Sequence, residues 1–396
     1  MKQLLNHMKE RGITRVKLLV VDLNGHPKLM VIPSDYLEEA AAGIGIDGSS
    51  IPGFATVDDS DLIAKPDLES AVFSEREVTV FCDVEHGNGQ PFEGDCRSIL
   101  KKIAEKIEVY AKPELEFYFL QNGAPLDERG YMDPAQGMAI VDAAVSNAAV
   151  PVERIHHENG PGQYEIEPLM APAVKACDHI ILLKEMLKEK AAENSMIATF
   201  MPKPLPGKAG SGMHFHVVLE KNGRNLFQNS DAALHFIGGL LSHAKGIAAI
   251  CNPTINSYKR LVPDFEAPVY ISWGRGNRSA LVRIPQGGKP RIEYRAPDPL
   301  CNPYLALAAI LGAGLDGMKN KIEPPQEMRG MTNKSKCHLE TLPASLAEAV
   351  EEMENDDLIR EILGPYIIRM LIMLRREEIK QFNYHVSQWE LEHYLT

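Results

Sequence analysis

Three short stretches alternate charged and apolar residues with a period of two. They are Pro113-Glu114-Leu115-Glu116-Phe117, Gly212-Met213-His214-Phe215-His216 and Arg291-Ile292-Glu293-Tyr294-Arg295. A β-strand sends successive side chains to opposite faces. Each stretch therefore reads as a strand with one apolar face and one ionisable face. Glu114 and Glu116 share a face, as do His214 and His216, and Glu293 and Arg295. One such pair alone reads more readily as a solvent-facing strand edge. Charged residues are depleted from strands, so three such strands point to a sheet backed by a core, its ionisable face turned to a common cavity.

A fourth stretch, His156-His157-Glu158-Asn159-Gly160-Pro161-Gly162-Gln163-Tyr164-Glu165-Ile166-Glu167, places Gly-Pro-Gly between polar flanks. Gly and Pro there mark a tight turn. The turn folds the flanks together, so Glu158 and Glu165 converge. Two carboxylates held together repel unless protonated or bridged by a cation. The candidate ligands are then Glu114, Glu116, Glu158, Glu165 and Glu293, with His214 or His216. Oxygen ligands with one imidazole suit Mg²⁺ or Mn²⁺ better than Zn²⁺. Five carboxylates bring five negative charges against the four positive ones of two divalent ions, a count that fits a two-metal site, and such sites hold nucleotide phosphates.

Arginines supply the opposite charge: Arg260, Arg278, Arg283, Arg291 and Arg295. Guanidinium forks bind carboxylate or phosphate in bidentate fashion. Together they suggest a polyanionic substrate and phosphoryl transfer. The sequence has no P-loop and no nucleophile elbow.

The 396 residues carry a net charge of −12, which argues against nucleic acid or an anionic membrane surface as the main partner. Six scattered cysteines without a CxxC pair read as reduced core thiols of an intracellular, cytoplasmic protein. No signal peptide or membrane span is expected. A helix over 1–12, a strand at Val16–Asp22, a turn at Asn24-Gly25, a return strand to Pro33 and a strand at Val78–Asp83 suggest a small sheet-rich unit over 1–94. The stretch from Ile44 to Phe54 looks too irregular for either element. A helix from Arg97 to Glu108 opens the larger unit, 95–396. There the reading gives strands at Glu114–Leu120, Ala198–Met201, Gly210–Leu219, Pro268–Trp273, Ala280–Ile284 and Arg291–Arg295. It gives helices at Pro134–Ala148, Lys175–Asn194, Asp231–Ile250 and Pro303–Asn320, with charged amphipathic helix from Ser345.

Along nearly its full length the chain resembles the type I glutamine synthetase family. The resemblance rests on Asp47-Gly48-Ser49-Ser50-Ile51-Pro52-Gly53-Phe54, Lys65-Pro66-Asp67-Leu68, the Glu114–Glu116 strand and the His156–Glu165 turn. It continues through Phe200-Met201-Pro202-Lys203-Pro204, Gly210-Ser211-Gly212-Met213-His214, 252–263, Asn277-Arg278-Ser279 and 295–307. It implies an α+β fold, with a β-grasp-like N-terminal domain followed by a catalytic domain whose antiparallel sheet forms an open barrel flanked by helices. It implies ATP-dependent ligation of ammonia to glutamate through γ-glutamyl phosphate, with two or more Mg²⁺ or Mn²⁺ per subunit. Glu116, Glu158 and Glu165 would hold one metal, and Glu114, His214 and Glu293 the other. His216, Arg278, Arg283 and Arg291 would hold nucleotide phosphates. Gly210, Arg260 and Arg295 would hold glutamate, with Glu266 as a flap residue that shields the intermediate. Asp47, Ser50, Tyr131 and Glu158 would form the ammonium pocket, Asp47 helping to deprotonate ammonium. A homododecamer of two hexameric rings is implied, with active sites between subunits.

The chain departs from the family pattern at Ala209, where an Asn usually stands. Asn159-Gly160 and Tyr164 resemble members that ligate glutamate to amines or polyamines, the alternative activity. Val218, Thr56 and trimming over 320–345 also differ, and no adenylylated-Tyr motif stands at 320–325. A non-catalytic relative would be expected to lose metal ligands, and all six candidates are present.

Overall fold

The computed structural model describes residues 1–74, 77–263, 266–330 and 339–395. It is α+β, built on two sheets. The smaller begins with an antiparallel hairpin, Arg15–Val21 with Pro27–Pro33. Asp22 organises the turn by accepting from the backbone N–H groups of Asn24 and His26, both at 2.9 Å. Arg15–Val21 runs parallel to Val78–His86, which pairs antiparallel with Asp61–Pro66. This mixed sheet is β-grasp-like. Val16, Leu18, Val20, Val78, Val80 and Phe54 are buried in its core.

The stretch expected to be irregular contains a strand. Ile44–Asp47 pairs with Asp61–Pro66, Ile44 opposite Ala64 and Ile46 opposite Leu62. Glycines at 43 and 45 hid the alternation of its two isoleucines. Asp61–Pro66 was not foreseen as a strand either.

The larger sheet runs Trp273–Arg275, Val282–Ile284, Ile292–Tyr294, Met213–Lys221, Glu108–Gln121, Gln163–Pro168, Val152–His157. Its neighbouring strands are antiparallel except for the first two. Its curl makes the open, half-barrel form. Leu115, Phe117 and Phe119 send the apolar face of the central strand into the core beneath helix Ala173–Glu193. That leaves the ionisable face open. Helix Pro303–Asn320, expected to be buried, is buried along most of its length. Asn302 caps it through Oδ1, and its Nδ2 donates to the Asp22 and Leu23 carbonyls of the small sheet's hairpin. Helix Ser230–Ser242 lies against it so closely that a Cβ on Gly239 would stand 2.1 Å from the Ala313 carbonyl oxygen.

Other boundaries differ from expectation. The helix expected over Arg97–Glu108 is Cys96–Ala104, because Glu108 begins the long central strand. The expected Asp231–Ile250 helix breaks after Ser242, where His243 Nδ1 sits 2.8 Å from Asp356 Oδ2. Pro268–Trp273 is not a strand: Tyr270 makes one isolated antiparallel bridge to Thr341, and the strand itself starts at Trp273. The final long helix, Asp357–Tyr384, kinks at Gly364-Pro365, where proline cannot continue the ladder. Cys82, Cys96, Cys177, Cys251 and Cys301 are free and buried; Cys337 lies outside the described residues. Among the described residues no helix is long and apolar enough to cross a membrane.

Candidate active site

The register of the large sheet assembles the site. His216 stands opposite Glu293, His214 opposite Glu114, Glu116 opposite Glu165, and Glu165 opposite His156. Five strands thus send ionisable side chains to one face, over a cavity of about 960 Å³. Lining it are Glu114, Glu116, Glu158, Glu165 and His214, with Tyr131, Glu266, Arg278 and Arg295.

Two halves emerge. In one, the Glu114 carboxylate accepts from His216 Nε2 at 2.6 Å and lies 3.3 Å from His214 Nδ1. Burial would raise the Glu114 pKa, but His216 and His214 outweigh it and hold it well below the usual carboxylate range. Glu293 is likewise lowered: His216 and Arg295 outweigh its burial. Arg283 Nη1 donates to Glu293 at 2.5 Å, and Arg295 Nε at 3.1 Å. In the other half, burial pushes Glu116 up to about 8, with the Glu158 charge adding to it. Burial, then Glu114 and Glu116, pushes Glu165 well up. These carboxylates are short of positive charge, which protons or a cation must supply.

Ligand atoms of Glu114, His216 and Glu293 lie within 4.8 Å of one another, and so do those of His156, Glu165 and Glu167. The expected division puts His214 with Glu114 and Glu293. His214 lies 3.7 Å from Glu293 and 3.9 Å from Glu116, between the two halves. Glu167 is less suited to a metal because Lys112 donates to it at 2.6 Å and Arg154 also pairs with it. The remaining oxygen-rich donors fit a hard divalent cation.

The Gly-Pro-Gly turn is fastened from elsewhere. Asp127 accepts from Tyr164 Oη at 2.7 Å and from the Gly162 N–H, and meets His157 Nε2 at 2.8 Å. Gly162 has φ of 68°, and a Cβ there would stand 2.8 Å from the Leu126 nitrogen. Tyr164 is therefore a buried strut, fully covered and away from the cavity lining. Asn159 Nδ2 donates to Glu158 Oε2 at 3.1 Å and to Glu266 Oε1 at 2.9 Å, tying the turn to the flap residue.

Other expected site residues stand further back. Arg260 is buried and donates to the Ala296 and Arg295 carbonyls. The Gly210 carbonyl accepts from Gln163. Arg291 Nε lies 3.3 Å from His216 Nδ1. Asp47 and Ser50 are not in the lining of this chain's cavity. Asp47 sits exposed on the small sheet, where its carboxylate accepts from the Ser49 and Ser50 hydroxyls, both at 2.6 Å. The sequence reading passed over Lys112, Arg154, His156 and Glu167. Extending the same alternation one step, from Glu114 to Lys112, Glu165 to Glu167, and Glu158 back to His156 and Arg154, would have found them.

Two family profiles match the chain: "Glutamine synthetase, beta-Grasp domain" over residues 12–87 and "Glutamine synthetase, catalytic domain" over 93–394. The chain is 42% identical to the glutamine synthetase of Thermotoga maritima, covering 98% of both chains. It is 44% identical to that of Pyrococcus abyssi, covering 97% of this chain and 98% of the relative. Among solved structures it resembles a GmaS/ADP complex over the whole of both chains, at 30% identity and a TM-score of 0.92. With both profiles matched in order and full-length relatives above 40% identity, the chain belongs to the glutamine synthetase family.

Proposed function

We propose that this chain is an ATP-dependent ligase that joins ammonia to the side-chain carboxylate of glutamate, giving glutamine. The observation that carries this is the single sheet face on which Glu114, Glu116, Glu158, Glu165 and Glu293, with His214 and His216, meet Arg278 and Arg295. The named relatives and the family profiles support it.

Members of this family use divalent metals and ATP. Glu116, Glu158 and Glu165 would hold one cation and Glu114, His214 and Glu293 another, as Mg²⁺ or Mn²⁺; the cations would neutralise the phosphates and orient them. Arg278 would reach the nucleotide from the cavity wall, with Arg283, Arg291 and His216 behind Glu293. The ADP in the similar solved complex supports a nucleotide here. Arg295 would fork the glutamate, backed by Arg260 and the Gly210 backbone.

A glutamate γ-carboxylate oxygen would attack the γ-phosphorus, and ADP would leave. Ammonia nitrogen would then attack the acyl carbon, lose a proton, and expel orthophosphate. Asp47 would take a proton from ammonium, with Ser50, Tyr131 and Glu158 completing the pocket. Glu266 would close over the acyl phosphate and exclude water. Its pKa is raised by burial and by Glu158. Asn159 bridges it to that same carboxylate.

Because Asp47 is exposed and outside its own chain's cavity lining, we assign it to a neighbouring subunit's site, in a ring assembly such as a dodecamer. Asp47→Ala and Glu116→Ala proteins should then each be inactive alone but regain activity when dissociated and reassembled together. Random mixing leaves about a quarter of the interfaces with both intact contributions. Recovery of no activity, with assembly verified by size, would put Asp47 and Glu116 of one chain in the same site and overturn the shared-site assignment; an active Asp47→Ala protein would place Asp47 outside the reaction.

A second reading is ligation of glutamate to an amine. One contact favours it: Asn159 occupies Glu158 Oε2, which an ammonium would otherwise use. Tyr164, buried against Asp127, gives it no support. Phosphate release with ATP, glutamate and Mg²⁺ decides between them. Ammonium should exceed methylamine, ethanolamine and putrescine in kcat/KM by at least about tenfold, a difference of roughly 1.4 kcal/mol in transition-state binding. The reverse order would make the chain an amine ligase. No release with any acceptor would refute both.

A further inference from the structure

A second cavity, of about 260 Å³, lies away from the ionisable sheet face. Its walls are the hairpin turn Asn24–Pro27 of the small sheet, helix Ala173–Glu193 and the segments Ala198–Met201 and Pro299–Leu300. Lys184 faces it and is only 8% exposed. Its ammonium donates to the Pro299 carbonyl and lies 5.9 Å from the Phe200 ring centroid. Among the described residues no carboxylate forms an ion pair with it.

A buried lysine normally has a counter-charge. Burial without one pushes Lys184 down to about 8. The acids nearby, one of them Glu185 in the cavity wall itself, are engaged elsewhere; the buried Asp298 accepts from Asn252 Nδ2 at 3.1 Å and from the Leu300 N–H at 3.0 Å. Glu185 pairs with Lys188 at 2.8 Å. Asp22 accepts from the turn's N–H groups and pairs with Lys28 at 3.0 Å. On the hairpin wall, burial lowers the His26 pKa; Asp22 opposes that, while Lys188, Lys28 and Lys184 add to it. Lys28 and Lys188 are each held by one of those acids, so Lys184 is the lysine of the cavity wall left without a carboxylate partner among the described residues, and two of its ammonium's three donors have no assigned acceptor.

We infer that this cavity binds a small oxyanion, a phosphate or carboxylate group, with Lys184 as its principal contact and Lys188 at its mouth. The anion would join the hairpin of the small domain to the catalytic domain's helix. Phosphate and carboxylate share the chemistry, and both are present wherever a ligase of this kind works. The site does not depend on the proposed reaction: its ligand would bind even if the main cavity served other chemistry.

The test is thermal melting of the full-length protein, with the main cavity saturated by Mg²⁺, a non-hydrolysable ATP analogue and glutamate. Orthophosphate and malonate are compared with chloride at constant ionic strength. At about ten times the dissociation constant, an oxyanion should raise Tm by about 1–2 °C over chloride. The larger of the two shifts identifies the source. Lys184→Met should lose this increment but keep the one from nucleotide, which shows that it is folded. Lys188→Gln, altered only at the exposed mouth, should lose at least half. A wild-type protein indifferent to both oxyanions would overturn the site. So would an undiminished increment in either variant, which would make Lys184 a lysine satisfied by Pro299 and Phe200 alone.

Discussion

Glu165→Ala should lower kcat at least on the order of 10²–10³-fold while leaving the fold intact. Glu165 stands opposite Glu116 across a strand pair, and its ring neighbour His156 is 3.5 Å away. Its pKa is raised by burial, then by Glu114 and Glu116, so in the absence of a cation its charge is a burden on the folded state. Removing it deletes a proposed metal ligand and relieves repulsion at the same time. The variant should therefore be inactive in phosphate release, yet melt no lower than the parent in chelator. Glu167, two residues on and on the same face, provides the contrast. Burial would raise its pKa, but His156, Lys112 and Arg154 outweigh this and hold it at about 2. Glu167→Ala strands cations instead of relieving anions, so it should cost stability. Near-normal turnover in Glu165→Ala would remove the carboxylate cluster from the chemistry.

That contrast marks how far the sequence could be read. The period-two pattern shows that Glu114 and Glu116, His214 and His216, and Glu293 and Arg295 share faces, because side-chain alternation is local. It does not show which strand lies beside which. Register is set by the whole packed sheet, so the pairing of Glu116 with Glu165, and of His216 with Glu293, became visible only in the fold. The same limit explains Tyr164. In the sequence it looks like a change at the acceptor pocket. In the structure its hydroxyl is bonded to Asp127, 37 positions earlier in the chain, and its ring packs near Phe117 and Phe119. Lys112, His156 and Glu167 were legible in principle, but each looked like an ordinary charged residue until its neighbours were fixed. Ile44–Asp47 was missed because glycine supplies no side chain to reveal a strand's faces.

Arg97→Met should cost about 3–5 kcal/mol of stability, the scale expected when one partner of a buried ion pair is removed. Arg97 forks Asp178 with Nε at 3.0 Å and Nη2 at 2.9 Å. Its Nη1 reaches Asp67 at 2.8 Å and Asp83 at 2.7 Å. Asp178 lies on the catalytic domain's helix Ala173–Glu193, whereas Asp83 lies in the small sheet and Asp67 directly follows its strand Asp61–Pro66. One guanidinium therefore joins the two. Burial raises the Asp178 pKa, with Arg97 working against it, and Tyr304 donates to Asp178 at 2.6 Å. Without Arg97 the folded state must keep Asp178 protonated, while the unfolded state ionises it normally. The loss should thus be smallest at low pH and grow as pH rises past the ordinary carboxylate range. Asp178→Asn removes the charge that Arg97 balances, so the double variant should be less destabilised than the sum of the single ones. Melting curves of the four proteins at two pH values test this, and strict additivity would show that the fork contributes nothing as a pair. The activity of Arg97→Met adds a second readout. Arg97 touches no part of the main cavity, but it fixes the small sheet that carries Asp47. If Asp47 serves a neighbouring site, ammonia use should fall more than formation of γ-glutamyl phosphate, because only the second step needs the small domain held in place.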